Sequence, residues 1–169
     1  MTNFSKVGEG ANRPASAIPQ SWIFWAAIGA GLSYMIPVLS GASSVVVTAW
    51  KGAGVTLLAL WAVRNAWQLD GRLLAAVLGL GALGDVVLDS DLVKGGIIFA
   101  IGHIVAMYLY SRNRRSALSS SQMGLALLLV PLATYIAWSL PYDRAEAWKA
   151  GFYTFFVAAM AAAAWTSRF

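Results

Sequence analysis

Charged residues fall along this chain in bunches, and long stretches between them carry none. No Asp, Glu, Lys or Arg occurs between Arg13 and Lys51, Arg72 and Asp85, Lys94 and Arg112, Arg115 and Asp143, or Lys149 and Arg168. Each gap is filled by an apolar segment, and a helix crossing a hydrocarbon core of about 30 Å needs roughly 20 such residues. The pattern predicts six transmembrane helices, at 22–39, 44–63, 73–88, 95–110, 123–140 and 148–165. The third and fourth are short, which predicts spans of little tilt or a locally thin bilayer. No segment alternates apolar and polar residues as a lipid-facing barrel strand must. The expected fold class is therefore all-α, a polytopic integral membrane helix bundle, with one membrane domain over 21–169. Residues 1–20, rich in Gly, Pro, Ser and Asn, are expected to form a disordered cytoplasmic tail.

Composition agrees with this pattern. Hydrophobic residues make up 59% of the 169 and charged residues 11%, against about 25% charged in a soluble domain. That supply of charge cannot cover a water-facing surface. The formal net charge of +5 does not imply nucleic acid, because phosphate recognition needs a basic face on a water-exposed domain, and no nucleic-acid partner is expected. Charge instead reports orientation, since cytoplasmic loops are enriched in Lys and Arg. With six spans, Lys6, Arg13, Arg64, Arg72, Arg112, Arg114, Arg115 and Arg168 share the side of the termini, while Lys94, Arg144 and Lys149 lie opposite. Both termini are expected in the cytoplasm, and the membrane is expected to be a bacterial inner one. The apolar core of the first span is too long for a cleaved signal peptide, and Pro131 is expected to kink the fifth span. Cysteine is absent and there is one histidine, so neither a metal site nor a cofactor is expected. Phosphate-cradling glycine loops, Gly-x-Ser-x-Gly elbows and His-Glu-x-x-His pairs are also missing. The expected partners are membrane lipids, and the oligomeric state is left open.

Any chemistry must then come from ionisable groups inside the spans. Such groups cost about 2.5 to 3.5 kcal/mol even on insertion scales, so they face a bundle interior or a wet cavity. Lys51, Asp85 and His103 qualify. At 1.5 Å per helical residue they lie roughly 10, 5 and 12 Å below the outer boundary. Their common depth predicts one polar cavity open to the non-cytoplasmic side. Asp89, one turn beyond Asp85, shares its helix face. Plainer readings stand beside this one: Lys51 and Asp85 as a structural ion pair, His103 hydrogen-bonded to a neighbour, and the nearby glycines as close helix packing.

The stretch Gly81-Ala82-Leu83-Gly84-Asp85-Val86-Val87-Leu88 is similar to a Gly-Asp-x-x-Leu motif of the YhhN-type membrane proteins, which include lysoplasmalogenases. Gly95, Phe99 and His103, each four apart, resemble that family's Gly-x-x-x-Phe-x-x-x-His helix. Lys51 sits where the family has a lysine early in its second helix, and 153–160 resembles a later helix, so the resemblance covers about residues 21 to 165. It implies hydrolysis of the vinyl ether bond of a lysoplasmalogen, a 1-alkenyl lysophospholipid, to a fatty aldehyde and a glycerophospho head group. An acid protonates the alkene carbon and water captures the resulting oxocarbenium ion. The acid must hold its proton near neutral pH, a form that low-dielectric surroundings favour. The resemblance implies Asp85 as that acid, Asp89 as second carboxylate and His103 as a base for water. It places Lys51, Phe99 and Tyr153 on the substrate, with Lys51 on its phosphate. The family's second acidic motif, of Ser-Asp type, has no counterpart here, so a truncated, non-catalytic lipid-binding or interaction protein is the alternative. A further alternative is a proton-coupled transporter relaying through Asp85 and His103.

Overall fold

A computed structural model describes residues 21–169, and among them it is built of helices with no strand. The tail expected at 1–20 lies outside the described residues. The helices are α1 (Ser21–Ser33), α2 (Met35–Leu39), α3 (Ser44–Arg64), α4 (Leu69–Leu88), α5 (Leu92–Arg112), α6 (Ser120–Ser139) and α7 (Ala147–Trp165). With α1 and α2 forming one segment, Trp22–Leu39, six are long and apolar enough to cross a membrane. The chain is an all-α, multi-pass membrane protein.

Two details depart from the sequence pattern. The third and fourth spans are not short: α4 has 20 residues and α5 has 21, about 30 Å each. Their first turns take in Asp70, Arg72 and Lys94, because a charged side chain at a helix end reaches the interface on its stem. Drawing the ends at the charges therefore cuts these spans short. Asp91 starts α5 by accepting the free backbone N–H groups of Val93 and Lys94, both at 3.0 Å. The first span, expected as one helix, breaks at Tyr34. Pro37 lacks the N–H that would bond to the Ser33 carbonyl and crowds that carbonyl with its ring. α6 runs on through Pro131, and its start is fixed by a reciprocal cap between Ser119 and Gln122.

Helices pack in the order α1, α3, α4, α5, α7, α6, so α1 and α3 do not touch α6 or α7. Ten of the twelve buried apolar residues among those described are alanine, which means backbones meet closely while large side chains face lipid. Glycines bring the helices closest. A Cβ at Gly54 would stand 3.2 Å from the Gly31 nitrogen, and one at Gly52 would stand 2.9 Å from a Val86 methyl. At Gly95 it would lie 2.6 Å from the Leu88 Cα, so α5 rests on the α4 backbone right after the turn joining them.

That contact predicts an asymmetry between neighbours. Gly95→Ala forces backbone to move and should cost about 1–3 kcal/mol. Gly96→Ala, where a Cβ meets nothing within 4 Å, should leave stability near wild type. Thermal midpoints of the two variants in detergent check this, and equal midpoints would contradict the packing at Gly95.

Candidate functional site

The antiparallel pairing of α3 and α4 sets the start of one helix beside the end of the other. Lys51 lies two turns into α3, Asp85 one turn before the end of α4, and Asp89 caps α4. The Gly52–Val86 approach fixes this level, since each of these residues neighbours one of the ionisable pair. Lys51 Nζ stands 3.6 Å from Asp85 Oδ1 and 3.2 Å from Asp89 Oδ1. It also donates to the Asp85 carbonyl at 3.4 Å. Thr48 Oγ1 donates to the other oxygen of Asp89. The side chains of Lys51, Asp85 and Asp89 are 26%, 23% and 36% exposed, so the protein covers most of each and leaves part of each accessible. Asp89 also lines a hollow of about 620 Å³ with Thr48 and Ser90 at this end of the bundle.

The Thr48 hydroxyl and the Lys51 ammonium hold the Asp89 carboxyl below the usual carboxylate range. Asp91 is lowered as well, first by the Lys94 backbone N–H and then by its ammonium. Asp89 therefore stays ionised at neutral pH, in a cluster of two carboxylates around one ammonium.

His103 does not join this cluster. It stands with Phe99 on α5 and Tyr153 on α7, the ring centres 6.4 Å from Phe99 and 6.0 Å from Tyr153. Phe99 and Tyr153 meet edge to face at 6.4 Å. Nε2 of His103 is buried, and no protein group pairs with it. The six residues singled out from the sequence thus form two groups, a charged one between α3 and α4 and an aromatic one between α5 and α7. Phe99 is the link. Its ring covers Gly84, where a Cβ would come within 2.9 Å of it, and Gly84 precedes Asp85.

Phe99 and Tyr153 also line a hollow of about 590 Å³ between α5 and α7, with Leu88, Gly96, Trp148 and Lys149. The lining is apolar except near the first turn of α7, where Lys149 and Glu146 pair at 2.6 Å. Thr48 was missed from the sequence although its position, three residues before Lys51, puts it on the same helix face. Lys149 and Glu146 carried no signal, because α5 meets α7 across the intervening α6 of the chain. No group of three or more His, Asp or Glu among the described residues is arranged to hold a metal ion.

A family model described as the YhhN family matches residues 46–169, well over half of the chain and including every residue of both groups. No curated protein and no solved structure matches the chain.

The hydrogen bonding of Asp89 has a pH signature. A carboxyl whose folded pKa lies below its ordinary 3.8 contributes stability that is fully present above that value. The contribution is lost as pH falls through the folded value. Thermal midpoints in detergent, followed downward from pH 7, should hold level until near 3.8 and then decline. Thr48→Val, which removes the largest cause of the lowering, should shorten that acid decline. Identical declines in wild type and Thr48→Val would show that the hydroxyl does not hold the carboxylate.

Proposed function

The chain belongs to the YhhN family, and from that membership and the geometry of its charged cluster we propose that it is an integral membrane ether hydrolase. Its substrate is a lysoplasmalogen, whose vinyl ether bond it cleaves to a fatty aldehyde and a glycerophospho head group. We assign it to a bacterial inner membrane with both termini in the cytoplasm. The orientation is supported by Arg64, Arg72, Arg112, Arg114, Arg115 and Arg168 at the terminal side against Lys94, Arg144 and Lys149 opposite.

The observation that carries the reading is Lys51 bridging Asp85 and Asp89 within one turn of each other, in the outer part of the bundle. With both carboxylates ionised the cluster bears a net negative charge, and a single proton neutralises it. Asp89 is engaged by both Thr48 and Lys51, and Asp85, with the longer contact to Lys51, is assigned the role of acid. In this mechanism Asp85 gives the proton to the alkene carbon remote from the ether oxygen. The carbon attached to oxygen becomes an oxocarbenium ion, which the Asp89 carboxylate stabilises. Water attacks that carbon and loses a proton to a carboxylate, and the hemiacetal formed splits into aldehyde and alcohol. This division between two carboxylates parallels glycoside hydrolysis, where one acts as acid and the other as base or stabiliser. Lys51, engaged by both carboxylates, serves to position them, and the phosphate of the substrate then needs another cation.

A second reading is favoured by the same contact. An ammonium fully engaged by two carboxylates also joins α3 to α4 without chemistry, as in a non-catalytic lipid-binding member of the family. Purified protein in detergent, given a 1-alkenyl lysophospholipid and a 1-acyl control, separates the two. Hydrolysis predicts aldehyde from the alkenyl lipid alone, lowered about a hundredfold or more in Asp85→Asn. Wild type that releases no aldehyde would leave the non-catalytic reading, and undiminished release from Asp85→Asn would remove Asp85 as the acid.

A further inference from the structure

We infer that the hollow between α5 and α7 seats the hydrocarbon chain of a single-chain phospholipid. Its phosphate rests on Lys149 at the outer end, and Gly96 keeps the seat open. The inference rests on the hydrolase reading for the identity of the lipid, but the site follows from its own geometry. The hollow measures about 590 Å³, within the range of ligand pockets. Its walls are Leu88, Leu92, Ile97, Phe99, Phe152 and Tyr153, all apolar or aromatic and suited to methylene groups.

Charge selects the occupant and its direction. Neither the hollow between α6 and α7 nor the one beside Asp89 is lined by a Lys or Arg. The α5/α7 hollow has Lys149 in the first turn of α7, at the end of the bundle where α4 finishes and α5 begins. Its salt bridge to Glu146 lies at the surface, with the side chains 34% and 49% exposed. Exposed pairs of this kind contribute little, so a phosphate can share or take over the ammonium. A chain anchored there runs inward past Gly96 to Phe99 and Tyr153.

Depth then agrees with chemistry. The ether bond of such a lipid is separated from the phosphate by a glycerol backbone, so it stays near the head. Asp85 and Asp89 lie at that same end of α4, and Phe99 touches both the seat and Gly84 beside Asp85. Gly96 is exceptional among the lining residues. A Cβ there meets nothing within 4 Å, so a larger side chain can fill the seat without disturbing the helices.

The test uses two uncleavable probes, a 1-O-hexadecyl lysophospholipid with a choline head group and 1-O-hexadecylglycerol, which lacks phosphate. Their equilibrium binding to the full chain in detergent is measured with radiolabel. Gly96→Leu should weaken both at least tenfold. Gly79→Leu, equally free of neighbours but outside the hollow, should bind as wild type. Lys149→Gln should weaken the phospholipid several-fold and leave the glycerol ether unchanged. Wild-type binding to Gly96→Leu, or no binding by wild type, overturns the seat; equal losses of both probes in Lys149→Gln overturn the placement of the head. Aldehyde release from a 1-alkenyl lysophospholipid is scored in parallel. Aldehyde with unaltered Gly96→Leu binding rejects the seat and keeps the hydrolase reading, whereas Gly96-dependent binding without aldehyde supports the seat and rejects hydrolysis.

Discussion

Close helix approach at three glycines, two against side chains and one against backbone, is the constraint on which the site depends. Gly52 admits Val86 of α4, Gly84 admits the Phe99 ring of α5, and Gly95 lets α5 lie on Leu88. In a bilayer the hydrophobic effect does not drive helices together, so shape and small residues decide how close they come. Each of these glycines is adjacent to, or one turn from, a residue of the site: Gly52 follows Lys51, Gly84 precedes Asp85, and Gly95 lies four residues before Phe99. The contacts that hold α3, α4 and α5 together are therefore the contacts that set the positions of Lys51, Asp85 and Phe99. A side chain at Gly95 would push α5 off the α4 backbone, whereas one at Gly52 or Gly84 would displace the Val86 methyl or the Phe99 ring.

Electrostatics imposes the second requirement. An ionisable group in a span must find a partner or water, and Lys51 finds two carboxylates and a carbonyl. Removing one partner from a buried ion pair leaves an uncompensated charge, but these side chains are a quarter to a third exposed and are not sealed in the protein interior. Partial exposure also fits a site that consumes water. A fully sealed triad would hold two helices together but could not admit the nucleophile that ends a vinyl ether hydrolysis.

Much of the fold was legible in the charge-free gaps, because hydrocarbon penalises charge strongly enough to write topology into the sequence. The ends of α4 and α5 were not, since Asp70, Arg72 and Lys94 sit within helices whose charged tips reach the interface. The break at Tyr34 follows from Pro37, while Pro131 lies inside an unbroken α6; a proline's effect depends on what can satisfy the freed carbonyl, which the sequence does not state. Asp85 and Asp89 were legible through helical spacing, and their meeting with Lys51 through common depth. Depth alone could not place His103. It comes to a similar level as Lys51 but on a helix whose neighbours are α4 and α7, and rotation about the helix axis sends it to Phe99 and Tyr153.

The separation of charged and aromatic groups has a chemical logic under the proposed reaction. A lysoplasmalogen is amphiphilic over a short distance, with phosphate, glycerol and vinyl ether at one end and bare hydrocarbon beyond. A site that mixed carboxylates with the chain would pay desolvation along its whole length. Here the carboxylates stay between α3 and the end of α4, and the hydrocarbon-like surface lies between α5 and α7. Phe99 forms the partition, apolar toward the chain and set against the small Gly84 on the side of the acid. Such a partition lets an acid close to lipid retain water of its own. Protonation of an alkene by a weak acid requires that combination: a carboxyl kept from full hydration, with a water molecule still within reach of the cation it creates.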